Sequence, residues 1–139
     1  MKKLSILVIA LCMTCGSASA QQALFGGQMP QSPEIHADKT VTFRCMAPGA
    51  QKVQITGDFL PTRKINTPMG KYDAPGVADL TKDEKGVWSY TTTSPLSPEL
   101  YSYTMMVDGA SVTDHLNVYT VRDIANVSNY FLIGGGKAD

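Results

Sequence analysis

The chain is short of the residues that most chemistry requires. Its 139 residues hold one tryptophan, two histidines and three cysteines. Charged residues make up 17%, below the roughly 25% usual for soluble domains, and they balance to a formal net charge of zero. Without a basic excess there is no electrostatic footprint for nucleic acid. His36 and His115 lie far apart, and no His/Cys group has zinc-ligand spacing, so no metal or other cofactor is expected. The Gly-x-Ser-x-Gly string of a nucleophile elbow is absent. His115 follows Asp114, but two neighbours in sequence do not make a triad, and a loop histidine is the plainer reading. Gly134-Gly135-Gly136-Lys137 fails as a phosphate loop, because Phe131 stands where the first glycine is needed. The chain is therefore expected to be non-catalytic.

Long apolar runs are also missing, except at the start. Lys2 and Lys3 precede an apolar stretch from Leu4 to Cys15, shorter than the roughly 20 residues of a bilayer span. Ala18-Ser19-Ala20 has the form of a signal-peptidase site. Residues 1–20 read as a signal peptide, which predicts a secreted or periplasmic protein with no membrane attachment after cleavage. Cys12 and Cys15 follow Leu11 and Thr14 rather than small residues, which argues against a lipid anchor. Removing residues 1–20 from the 139 leaves 119, one domain's worth. The loss of Lys2 and Lys3 takes the net charge to −2, and Cys45 is left without a disulfide partner in its own chain. Residues 21–33, rich in Gln, Gly and Pro, read as a flexible leader.

What remains has the period of strands. Tyr101, Tyr103, Met105 and Val107 alternate with mostly polar residues, then Asp108-Gly109 supplies a two-residue hairpin turn. Val41, Phe43 and Cys45 alternate with Thr40, Thr42 and Arg44, which makes Cys45 a small buried apolar residue rather than a reactive thiol. Further strands are expected at Glu34–His36, around Val53 and Ile55, at Val87–Thr93 and at Ser128–Ile133. Phe59–Asp79, carrying Pro61, Pro68, Gly70, Pro75 and Gly76, reads as irregular. About seven short antiparallel strands separated by turns predict an all-β sandwich over residues 34–133. Residues 134–139 read as a linker or a truncated end. Val41, Phe43, Val53, Ile55, Trp88, Tyr103, Val107 and Leu132 are the expected core. Tyr101 and Tyr103 should bury their rings and keep their hydroxyls at the rim.

Asp38–Phe43, Ala47-Pro48-Gly49-Ala50, Val53–Phe59 (VQITGDF), Gly86-Val87-Trp88, Tyr101-x-Tyr103 with Val107-Asp108-Gly109, and Asp114-x-x-Asn117 follow one another in order. This series resembles the early-set immunoglobulin-like domain of the family-48 carbohydrate-binding modules. Such domains precede the catalytic domains of glycogen-branching and debranching enzymes and of secreted bacterial family-1 carbohydrate esterases. The leader ALFGGQ and the stretch Asn117-Val118-Tyr119 to Arg122-Asp123 look most like the esterase version. The resemblance spans Pro33 to Ile133. It implies an accessory module that packs on or orients an esterase or hydrolase domain, in cis or in trans, during polysaccharide degradation. The alternative it implies is a free-standing module for α-glucan or xylan.

The chain departs from that family at its sugar-stacking positions. Leu60-Pro61-Thr62 and Ala110-Ser111-Val112 stand where family members carry tryptophans, and Thr104 stands near a binding lysine. The candidate glycan-binding residues are therefore Trp88, Tyr119 and Asn129. Asn129 falls near a late asparagine of the family pattern, and Tyr119, like Tyr72, lies in an irregular segment, which makes these two tyrosines the better exposed candidates. For Trp88, sheet packing is the plainer reading.

Overall fold

A computed structural model describes residues 29–136. The expected signal segment and most of the leader lie outside the described residues, as do the last three positions. The described chain contains strands and no helix: β1 (Glu34–Ile35), β2 (Val41–Met46), β3 (Val53–Gly57), β4 (Arg63–Thr67), β5 (Gly70–Ala74), β6 (Gly76–Asp79), β7 (Thr81–Lys82), β8 (Val87–Thr91), β9 (Leu100–Val107), β10 (Ala110–Val112), β11 (Thr120–Arg122) and β12 (Val127–Leu132). A small sheet runs β1-β2-β8-β7, and a large sheet runs β11-β12-β9-β3-β6 with β10 also on β9. The strand pairs are antiparallel. The two sheets pack face to face as the expected sandwich.

Alternation explains the core. Val41, Phe43 and Cys45 of the small sheet face Val53, Ile55, Tyr103, Met105 and Phe131 of the large one, all buried. Aromatic rings dominate this interior. Phe43 stacks on Phe59 at 5.0 Å and meets Tyr103 and Phe131 edge-on at 4.9 and 5.4 Å. Such pairs add about 0.5–1.5 kcal/mol each beyond the area they bury. The Asp108-Gly109 turn is as expected, with φ of 49° and 86° at its two residues. Asp108 Oδ1 also accepts from the Gln51 and Lys52 amides, at 2.9 and 2.8 Å, which ties the turn to the neighbouring loop.

Three expectations need correction. Phe59–Asp79 is not irregular: it holds β4, β5 and β6. Pro68 and Gly70 sit at the turn between β4 and β5, and Pro75 at the break before β6, so these residues punctuate strands rather than forbid them. Leu132 is exposed, while Phe131 and Ile133 are buried. The register pairs Asn129 with Tyr103 and Phe131 with Tyr101, so Asn129 and Phe131 of β12 point inward and Leu132 does not. Tyr101 keeps its hydroxyl at the rim on the Ser97 carbonyl at 3.1 Å, but the Tyr103 hydroxyl is buried on Asp114.

Candidate functional site

Inward and outward positions alternate, so the buried side of the large sheet determines its exposed side. With Tyr103, Met105, Asn129 and Phe131 inside, the neighbours Ser102, Thr104, Ser128 and Tyr130 point out. The outer face has two unlike halves that meet at Ser102 and Tyr130.

One half is polar. Thr56, Asp58, Ser102, Thr104, Ser128 and Pro75 surround a hollow of about 140 Å³. The Ser102 hydroxyl and amide donate to Asp58 at 2.9 and 3.0 Å, and the Thr104 hydroxyl lies 3.5 Å from that of Ser128. Thr104 and Ser128 also border a wider hollow of about 680 Å³ with Ser111, Thr113, Asp123 and Asn126. Amides of Ala125 and Asn126 donate to Asp123 at 2.8 and 2.6 Å and hold its carboxyl below the usual carboxylate range. The wider hollow has no aromatic ring in its lining. Its hydroxyl, amide and carboxylate groups can exchange hydrogen bonds with sugar hydroxyls, each worth about 0.5–1.5 kcal/mol net against water.

The other half is apolar. Pro33, Ile35, Val118, Tyr119, Tyr130 and Leu132 line a groove of about 560 Å³ where the edges of the two sheets meet. Leu100, directly opposite Leu132 in the sheet, and Val121 continue it on the far side of Tyr130. Ile35, Leu100, Val118, Tyr119, Val121 and Leu132 are all exposed. Covering these side chains would remove apolar area from water.

The three sequence-derived candidates are not brought together. Trp88 is buried in β8 of the opposite sheet, donates its indole N–H to the Ala47 carbonyl at 2.8 Å, and has Lys82 over its ring at 5.6 Å. It offers no open aromatic face. Asn129 is fully buried. Its Oδ1 accepts from the Asp114 amide at 2.6 Å, and its Nδ2 donates to the Asp114 and Asn117 carbonyls at 3.1 and 3.0 Å. Those bonds use its polar atoms inside the domain. Tyr119 alone is exposed, with its ring 5.7 Å from that of Tyr130. Sequence reasoning passed over Tyr130, Ser102, Thr104 and Ser128. The available signal was parity: once Tyr103 is placed inside, Ser102 and Thr104 must face out.

Beneath the outer face lies a buried polar cluster. Asp114 Oδ2 accepts from Ser32 Oγ at 2.6 Å and from the Tyr103 hydroxyl at 2.9 Å, while its Oδ1 takes the Leu116 amide at 2.9 Å. Asn117 donates to the Tyr103 hydroxyl and to the Tyr130 carbonyl at 3.1 and 2.9 Å. The Arg44 amide of the small sheet donates to Ser32 Oγ at 3.0 Å, so the cluster joins both sheets. Burial, and then the Asp114 carboxyl beside it, push the Tyr103 hydroxyl far above its ordinary range. Burial likewise raises the Cys45 thiol. Among the described residues, no three His, Cys, Asp or Glu side chains come together as a metal site.

Residues 27–120 match the family described as Carbohydrate-binding module 48 (Isoamylase N-terminal domain). The chain belongs to this family. It is accordingly a non-catalytic binding module. A comparison with curated proteins found no match. Solved structures similar to the chain include the catalytic module of the multi-modular glycogen-degrading pneumococcal virulence factor SpuA, at 19% identity and a TM-score of 0.46, covering 76% of this chain and 16% of that one. Pullulanase from Anoxybacillus sp. LM18-11 matches at 20% identity and 0.39, covering 68% and 12%. Apo pullulanase from Paenibacillus barengoltzii matches at 18% and 0.40, covering 68% and 13%. The chain thus spans less than a fifth of the length of each of these proteins.

Proposed function

We propose that this carbohydrate-binding module contacts a polysaccharide through the polar half of the large sheet and works beside a catalytic domain for polysaccharide degradation. The observation that carries the reading is the hydroxyl- and carboxylate-lined outer face of Ser102, Thr104, Ser128, Asp58 and Asp123 on a member of this family. The ligand is a neutral chain, α-glucan or xylan. The apolar groove at Ile35, Val118, Tyr119 and Leu132 supports a second role, packing on the catalytic domain. The esterase-like leader and the Asn117–Asp123 stretch favour a carbohydrate esterase as that domain. The signal segment at residues 1–20 favours a secreted or periplasmic setting.

Few polar contacts and no tryptophan platform imply weak binding, roughly millimolar, or about −4 kcal/mol. An NMR titration with malto- and xylo-oligosaccharides tests this. Shifts should saturate in the millimolar range and centre on Ser102, Thr104 and Ser128. No saturable shift for either series, or micromolar binding lost in Trp88→Ala, would overturn the assignment of the face.

A further inference from the structure

β4 and β5 form a two-stranded ribbon of their own, outside both sheets of the sandwich. This arm leaves the domain beside the polar hollow. Asp58, just before it, and Pro75, just after it, both line that hollow, and Arg63 Nε donates to the Pro75 carbonyl at 3.3 Å. The root is tight: a side chain at Gly76 would collide with the backbone of Pro61 and with Leu60.

The arm has two different faces. Register and alternation put Lys64, Asn66, Lys71 and Asp73 on one side. That side meets water, with Lys64 and Asp73 paired at 3.0 Å and their side chains 81% and 58% exposed. Arg63, Ile65, Tyr72 and Ala74 share the other side, where Ile65 lies directly across from Tyr72. At the root this side turns toward the domain, since Ala74 is 8% exposed. Two residues further out Tyr72 is 55% exposed, and Met69 at the tip is 99% exposed. On this side Ile65 is half-buried, and Tyr72 is left to water. An isolated two-stranded ribbon is at best marginally stable in water, and covering an Ile65–Tyr72 pair is favourable in proportion to the apolar area removed from water.

We propose that the arm extends the glycan site, with Tyr72 as the stacking platform for sugar units that run beyond the polar hollow. Tyr72 lies three positions before Pro75, a backbone rise of about 10 Å from the edge of the hollow. An oligosaccharide seated on Ser102 and Thr104 can reach Tyr72 only if it is several units long. This inference rests on the glycan reading above, and chain length separates the two. The full chain and its Tyr72→Ala, Tyr72→Phe and Lys64→Ala variants are titrated by NMR with xylo- and malto-oligosaccharides of two and six units. Tyr72→Ala should weaken six-unit binding at least threefold and leave two-unit binding unchanged, while Tyr72→Phe and Lys64→Ala match the parent chain. Equal six-unit affinity in Tyr72→Ala, or an equal loss at both lengths, overturns the role of the arm while the polar hollow stands. Failure of the parent chain to bind either length overturns both readings.

Discussion

The Asp114 cluster and the β4–β5 arm depart from a plain sandwich in opposite directions. In the cluster, polar side chains are buried between the sheets and every one has a partner; among the described residues no buried side-chain polar atom lacks one. In the arm, Tyr72 and Met69 stand in water without a core to cover them. Low local dielectric makes each bond of the cluster strong and each missing one costly. High dielectric around the arm makes its ion pair weak. The cluster therefore belongs to the stability of the domain, and the arm is free to serve binding.

The comparison can be broken at its strongest point first. Asp114→Ala leaves the Ser32 and Tyr103 hydroxyls without their acceptor inside the domain. At about 1–3 kcal/mol for each unsatisfied buried group, the loss should be about 3–5 kcal/mol, read as a lower denaturation midpoint at unchanged slope. A loss under about 1 kcal/mol would mean that water enters the cluster freely. Asp114→Asn, which keeps an acceptor oxygen, should be milder.

A smaller effect concerns pH. Tyr103 ionises near 10 in the unfolded chain but well above that in the fold, because burial and the Asp114 carboxyl disfavour its anion. Above pH 10 the unfolded state then binds fewer protons than the folded one, so stability is intact below that value and falls as pH rises past it. Tyr90 and Tyr101 shift in the same direction through burial. Denaturation series at pH 8.5 and 11 should show the decline, and Tyr103→Phe should flatten most of it. An equal decline in that variant would place the alkaline sensitivity elsewhere.

The smallest effect sharpens the other side of the comparison. Lys64→Ala removes the exposed pair with Asp73 on the arm and should cost less than about 0.5 kcal/mol. A loss several times larger would show that the arm is coupled to the core.

Much of the sandwich was legible along the chain. Val41/Phe43/Cys45 and Tyr101/Tyr103/Met105 declare their strands, and Asp108-Gly109 declares its turn, because period and positive-φ tolerance are local properties. The arm was not legible, since Pro61, Pro68 and Pro75 break a run into pieces without saying whether the pieces pair. Of the three candidate residues named from the sequence, Tyr119 alone reaches the surface, and it lines the apolar groove rather than the polar hollows. Trp88 and Asn129 have side chains that suit sugars, but side-chain type does not say which way a residue points, and each turns into the fold.

By itself, the sequence determined an all-β domain with little charge and two strands whose inward residues can be named. Tertiary structure decided that Asn129 faces inward and Tyr130 outward, that β4 and β5 stand clear of both sheets, and that Ser32 meets Asp114 across 82 positions of chain. Alternation is set by the backbone of each strand and can be read residue by residue. Register, and the closure of a hydrogen-bond network between distant strands, exist only when the sheets have met.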